Sequence, residues 1–150
     1  MIAAVPPGHP KQTLLFFVVS DLDQTIRTEM RNFVYGLADA RSWALGPPTF
    51  VRHREKPRDT SKGDVPVETV GGYLKIYTAL PPWNLAREVD IQHLLEVETL
   101  VTRLCDFSHR AGLEIEFELD GKFVGAIRNG AMDVTLSVGL LGEWRRHLSP

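Results

Sequence analysis

Three kinds of hydrophobic pattern alternate along the chain, and each predicts a different element. Thr13–Val19 (TLLFFVV) is an unbroken apolar run rich in Phe and Val. Its length is that of a strand, and its lack of alternation places it where both faces are covered, in the centre of a sheet. From Ser20 to Gly46, Leu22, Ile26, Met30, Phe33, Leu37, Ala40 and Ala44 recur at steps of three and four, so they share one helical face. Ser20 with Asp23 reads as a capping-box-like start, and Gly46 followed by Pro47-Pro48 as the stop. Thr49–Arg54 is a short strand, and residues 55–64, with no large apolar side chain, form a mobile surface loop.

Val65–Val70 and Tyr73–Leu80 flank Gly71-Gly72, which suits the positive φ angles of a two-residue type I′ turn. That hairpin sets Val70 opposite Tyr73 and Glu68 opposite Lys75. It places Val65, Val67, Leu74 and Ile76 on one face, with Glu68, Tyr73, Lys75 and Tyr77 on the other. Asp90 is then the expected cap of a helix running to about Arg110, with Gly112 as its stop. Ile91, Leu94, Val97, Val101, Leu104 and Cys105 form its stripe, while Gln92, Glu96, Thr99, Arg103, Asp106 and Arg110 form a polar face. Leu100 and Phe107 fall outside the stripe, so this helix is either covered on a second side or carries an exposed apolar spot.

Strict alternation in Leu113–Leu119 sets Leu113, Ile115, Phe117 and Leu119 against Glu114, Glu116 and Glu118, the pattern of a half-buried strand. Its partner is Lys122–Arg128. Parity favours a three-residue loop, Leu119-Asp120-Gly121, with Gly121 in a G1 bulge and Phe117 opposite Phe123. After a turn at Asn129-Gly130, Asp133 caps a last helix in which Leu136, Leu140, Leu141, Trp144 and Leu148 share a face. Gly139 and Gly142 on its other side read as a weak or broken helix. The order β-α-β-β-β-α-β-β-α predicts an α+β fold, a mainly antiparallel sheet with helices packed on one face. Residues 1–11 read as a mobile N-terminal arm and 12–150 as one domain.

Composition narrows the class. The chain has 150 residues, 43% of them apolar and 24% charged, which excludes wholesale disorder. One cysteine excludes an internal disulfide and an all-cysteine zinc cage, and Cys105 on an apolar stripe reads as an inert thiol. The N-terminus shows no signal-peptide pattern and no apolar run is long enough for a bilayer, so the expected location is cytoplasmic, without a membrane partner. A net charge of −2 argues against general nucleic-acid binding, but the charge is unevenly spread. Residues 1–62 hold nine Lys/Arg against six acidic side chains, and residues 87–120 hold three Arg against nine acidic. Arg52, Arg54, Lys56, Arg58 and Lys62 form a basic loop with no aromatic residues for base stacking.

Candidate chemistry is sparse. Val18 through Thr25 joins an apolar strand to Asp21-Leu22-Asp23-Gln24-Thr25, a D-x-D-x-T string that resembles the first motif of the haloacid-dehalogenase-type phosphohydrolases. The resemblance implies Asp21 as nucleophile, Asp23 as acid/base and Mg²⁺ as cofactor. It covers about eight residues, and the family's later motifs do not follow in order: Thr78 and Arg87 come after Gly63-Asp64…Glu68 rather than before it. Asp90–His93 and Asp106–His109 have i, i+3 spacing, but the pairs lie about 24 Å apart along a helix and cannot share a metal, so no metal site is expected. No phosphate-cradling glycine motif occurs. Glu114, Glu116 and Glu118 stand in a row that could dock a basic surface. The leading expectation is a non-catalytic protein-binding module without a cofactor, for example a bacterial inhibitor or immunity-type protein. The alternatives are a Mg-dependent phosphohydrolase using Asp21 and Asp23, and a homo-oligomer joined through Leu100 and Phe107.

Overall fold

The TLLFFVV run lies at the heart of a sheet, as its unbroken hydrophobicity predicts. In the computed structural model, which describes residues 5, 8–19, 21–55, 67–79 and 85–148, it belongs to strand β1 (Lys11–Val18). Helix α1 (Gln24–Asp39) follows, then β2 (Thr49–Glu55), β3 (Val67–Tyr77), α2 (Arg87–Ala111), β4 (Glu114–Leu119), β5 (Lys122–Arg128) and β6 (Ala131–Met132). A π-helical segment, Thr135–Gly142, runs directly into α3 (Glu143–Leu148). All six strands form one sheet in the order β2-β3-β1-β4-β5-β6, and every pairing is antiparallel. The α+β class and helix-backed sheet therefore hold. Leu14, Phe16 and Val18 of β1 face the helices with Val70, Leu74 and Ile76 of β3 and Ile115 and Phe117 of β4. Met30, Val34 and Leu37 of α1 close the core with Val97, Val101 and Leu104 of α2.

The largest departure from expectation is β3. Gly71-Gly72 is not a turn: β3 runs straight through both glycines, so one strand stands where two were expected. Gly71 pairs with Phe17 and Val51, and Gly72 with Phe16 and Phe50. The glycines answer to crowding. A Cβ on Gly71 would lie 1.8 Å from the Phe16 carbonyl oxygen, and one on Gly72 would lie 2.6 Å from the Phe16 ring. With the strand continuous, Glu68 shares a face with Val70, Leu74 and Ile76 and turns towards α1, not towards Lys75. Val65 lies outside the described residues, as does most of the 55–64 loop.

The β4–β5 connection corrects a second expectation. Asp120 and Gly121, with φ of 51° and 84°, form a two-residue turn that pairs Leu119 with Lys122 and Glu118 with Phe123. The extra residue that parity demands sits in the strand: the register shifts at Phe117/Glu118, leaving Val124 as a bulge before Gly125 meets Phe117. Phe123 consequently stays 44% exposed beside Glu118. The Asp120 carboxylate ties the turn to β1 by accepting from Thr13 N at 2.8 Å.

Helix boundaries also move. Asp23, not Ser20, caps α1: its Oδ1 accepts from Ile26 N at 2.8 Å. The helix ends at Asp39, before the Gly46-Pro47-Pro48 stop, and Ala44 lies in the connecting loop. Helix α2 starts at Arg87, so Asp90 lies in its first turn and caps nothing; Gly112 ends the helix in the left-handed conformation, as expected. Leu100 and Phe107 are buried, and Phe107 stacks on Phe33 of α1 at 4.8 Å. The second side of α2 is thus covered by α1, and no exposed spot remains there to serve as a self-interface. The last helix keeps its Asp133 cap, whose Oδ1 accepts from Leu136 N at 2.8 Å. Its first eight residues widen into a π-helix instead of breaking, which brings Leu136 and Leu141, five apart, onto the buried side.

Candidate functional site

The sheet face away from the helices carries the acidic row. Across it, one line runs Val51, Gly71, Phe17, Glu116, Ala126, and the next runs Thr49, Tyr73, Leu15, Glu118, Phe123. Glu114, Glu116 and Glu118 are half-buried on β4, next to half-buried Leu15 and Phe17 of β1. Arg128 pairs with Glu114 at 2.7 Å, whereas Glu116 and Glu118 have no ion-pair partner among the described residues. Because β4 lies between β1 and β5, its carboxylates do not guard a sheet edge.

The phosphohydrolase-like string does not assemble into a metal centre. The Asp23 carboxylate is committed to the α1 cap, and Asp21 is exposed. The sheet that precedes and follows the string is antiparallel in every pairing. Among the described residues no group of three or more His, Cys, Asp and Glu side chains is placed to hold a metal ion.

The Asp/His pairs of α2 separate into different roles. His93 is fully buried, and its Nε2 accepts from the backbone N–H of Tyr77 at 3.3 Å. The imidazole proton is therefore on Nδ1, which faces Glu96 Oε1 at 3.7 Å. Glu96, expected on the polar face, is also fully buried. Its other oxygen accepts from Ala44 N at 2.8 Å and from the Gln92 amide at 3.3 Å. Burial pushes the Glu96 acid upward, but the His93 ring, the Ala44 N–H and the Gln92 amide outweigh it and hold the group below its ordinary value. This pair pins the α1–β2 loop to α2; no periodicity could reveal it, because the main donor is a loop backbone N–H. His109 is exposed over the Asn129-Gly130 turn, and Asp106 pairs with Arg110 at 3.1 Å on the surface. Burial raises the Cys105 thiol, in keeping with an unreactive cysteine. Of the basic loop, Arg52 binds Glu68 at 3.0 Å, and residues 56–62 lie outside the described residues.

Two of the concavities that the described residues form lie against the core. A groove of about 510 Å³ follows the α1–α2 crossing over the Phe33–Phe107 stack, with exposed Glu29, Asn32 and Arg110 on its banks. A cleft of about 340 Å³ opens where the sheet ends under the π-helical segment and α3. Its walls are apolar and aromatic: Ile76 and Tyr77 of β3, Leu119 of β4, and Leu140 and Trp144. Asp90 reaches this cleft from the first turn of α2 at 5% exposure, with its Oδ1 2.7 Å from the Trp144 indole nitrogen. Glu143 and His147 stand exposed among the lining residues. Sequence patterning placed Trp144 correctly on the inner face of the last helix but read Asp90 as a cap, so it missed their meeting. No helix among the described residues is long and apolar enough to cross a membrane. No protein family, curated protein or solved structure matches this chain.

Proposed function

We propose that this chain is a non-catalytic, cytoplasmic binding module of inhibitor or immunity type, which docks a basic protein partner on the open face of its sheet. The observation that carries the reading is the Glu114–Glu116–Glu118 row on an interior strand. Edge protection explains charged strands at a sheet margin, but β4 is not at a margin. Among the described residues two of the three carboxylates have no ion-pair partner, and half-buried Leu15 and Phe17 border them. A surface of this kind matches lysine and arginine side chains, whose apolar stems cover hydrophobic groups while their heads reach carboxylates.

The test uses a short arginine-rich amphipathic peptide as probe and amide chemical-shift mapping as readout. Binding should perturb β1 and β4 and vanish in Glu114→Lys/Glu116→Lys/Glu118→Lys. The control changes Glu29, Asp39 and Asp106 to Lys, which alters net charge equally at exposed positions away from this face; it should still bind. Shifts confined to other elements, or equal loss in both triple variants, would sink the proposal.

A further inference from the structure

We infer that the cleft between the sheet end and the last helix is a binding site for a small organic cation, an ammonium group carried on a flat apolar body. The inference is independent of the sheet-face reading. It starts from Asp90, a residue only 5% exposed whose carboxylate is met, among the described residues, by one neutral donor, the Trp144 indole N–H at 2.7 Å. No Lys, Arg or His among the described residues pairs with it. Arg87, one turn earlier on the helix, donates instead to the Leu148 carbonyl and forms no ion pair with Asp90. A buried carboxylate without a counter-charge is costly, and an incoming cation relieves that cost.

The surroundings select the kind of cation. Tyr77 and Trp144 supply aromatic surface, which attracts ammonium groups through the ring quadrupole. Ile76, Leu119 and Leu140 complete an apolar lining that accepts a hydrocarbon body and repels a strongly hydrated inorganic ion. Glu143, also on the lining, is already paired with Arg146, which leaves Asp90 as the carboxylate for the cation. A volume of about 340 Å³ suits one ring with a short amine arm rather than a peptide or a nucleotide.

The experiment titrates the isotopically labelled protein with 2-phenylethylammonium, with the neutral near-isostere 2-phenylethanol and with the phenylacetate anion. The Trp144 indole N–H is the reporter, supported by the amides of Tyr77 and Asp90. Saturable shifts are expected with the ammonium below about 10 mM, the range in which so small a ligand should bind. The alcohol should bind at least about tenfold more weakly, and the anion not at all. Asp90→Asn keeps an acceptor for the indole and should reduce the ammonium to the affinity of the alcohol. The wild-type comparison decides the matter even if that variant does not fold. Equal binding of ammonium and alcohol to the wild type, ammonium shifts at Glu114–Glu118 instead of Trp144, or no saturable shift would each overturn the assignment.

Discussion

Glu68 shows how much one side chain decides here. Continuity of β3 turns it towards the helices, where it accepts from Arg27 at 2.7 Å and from Arg52 at 3.0 Å, joining α1, β2 and β3. The Arg27 hydrogen bonds, opposed in part by burial and aided by Arg52, lower its pKa from 4.5 to about 2. A carboxylate whose folded pKa is depressed stabilises the fold when ionised. Its contribution is complete above about pH 4.5 and disappears as the pH falls towards about 2. Glu68→Gln should therefore be less stable than wild type at pH 7, with the gap closing across that acid range in urea titrations. A gap independent of pH would show that the Arg27–Glu68–Arg52 cluster has no electrostatic weight. Glu96 is depressed in the same direction, through His93, Ala44 and Gln92. Neither carboxylate was legible beforehand: Glu68 was assigned to the open face and Glu96 to the solvent side of α2, because their partners come from elements distant in sequence.

At the scale of elements, periodicity was informative and glycine was ambiguous. The seven-residue alternation of Leu113–Leu119 and the apolar run of Thr13–Val19 located β4 and β1 almost to the residue. Gly71-Gly72 misled because a pair of glycines serves two unrelated ends, a turn with positive φ or a close approach. The approach is asymmetric, which makes it testable. At Gly71 the obstacle is the backbone of β1 at 1.8 Å, whereas at Gly72 it is the far end of the Phe16 ring at 2.6 Å and, less closely, the Thr49 carbonyl oxygen at 3.0 Å. Gly71→Ala should cost about 3 kcal/mol and Gly72→Ala only about 1 kcal/mol, measured by chemical denaturation. Equal costs, or a neutral Gly71→Ala, would contradict the continuous strand. The β4–β5 hairpin carries a related lesson. Parity correctly demanded one extra residue, but the turn Asp120-Gly121 took the tighter form and passed the irregularity to Val124, leaving Phe123 exposed next to the acidic row.

At the scale of the whole molecule, the near-zero net charge conceals separation. The arginine cluster around Glu68 lies on the helix side, and the glutamate row lies on the opposite sheet face. Association with a basic partner should therefore be steered by a local field, with an on-rate that drops steeply as salt is raised, about tenfold or more between low and physiological ionic strength. Stopped-flow mixing with the arginine-rich peptide measures this, and a salt-independent rate would argue that apolar contact with Leu15 and Phe17 does the recognition. The strand order carries one more consequence. β1 precedes both of its neighbours, β3 and β4, in the chain, and their pairing residues extend to Tyr77 and Leu119. Leu14, Phe16 and Val18 therefore wait unpaired during synthesis at least until β3 has been made, and β4 completes their surroundings later still. Non-local pairing of this kind slows folding in general, so the apolar β1 segment should be the part of the nascent chain that chaperones bind.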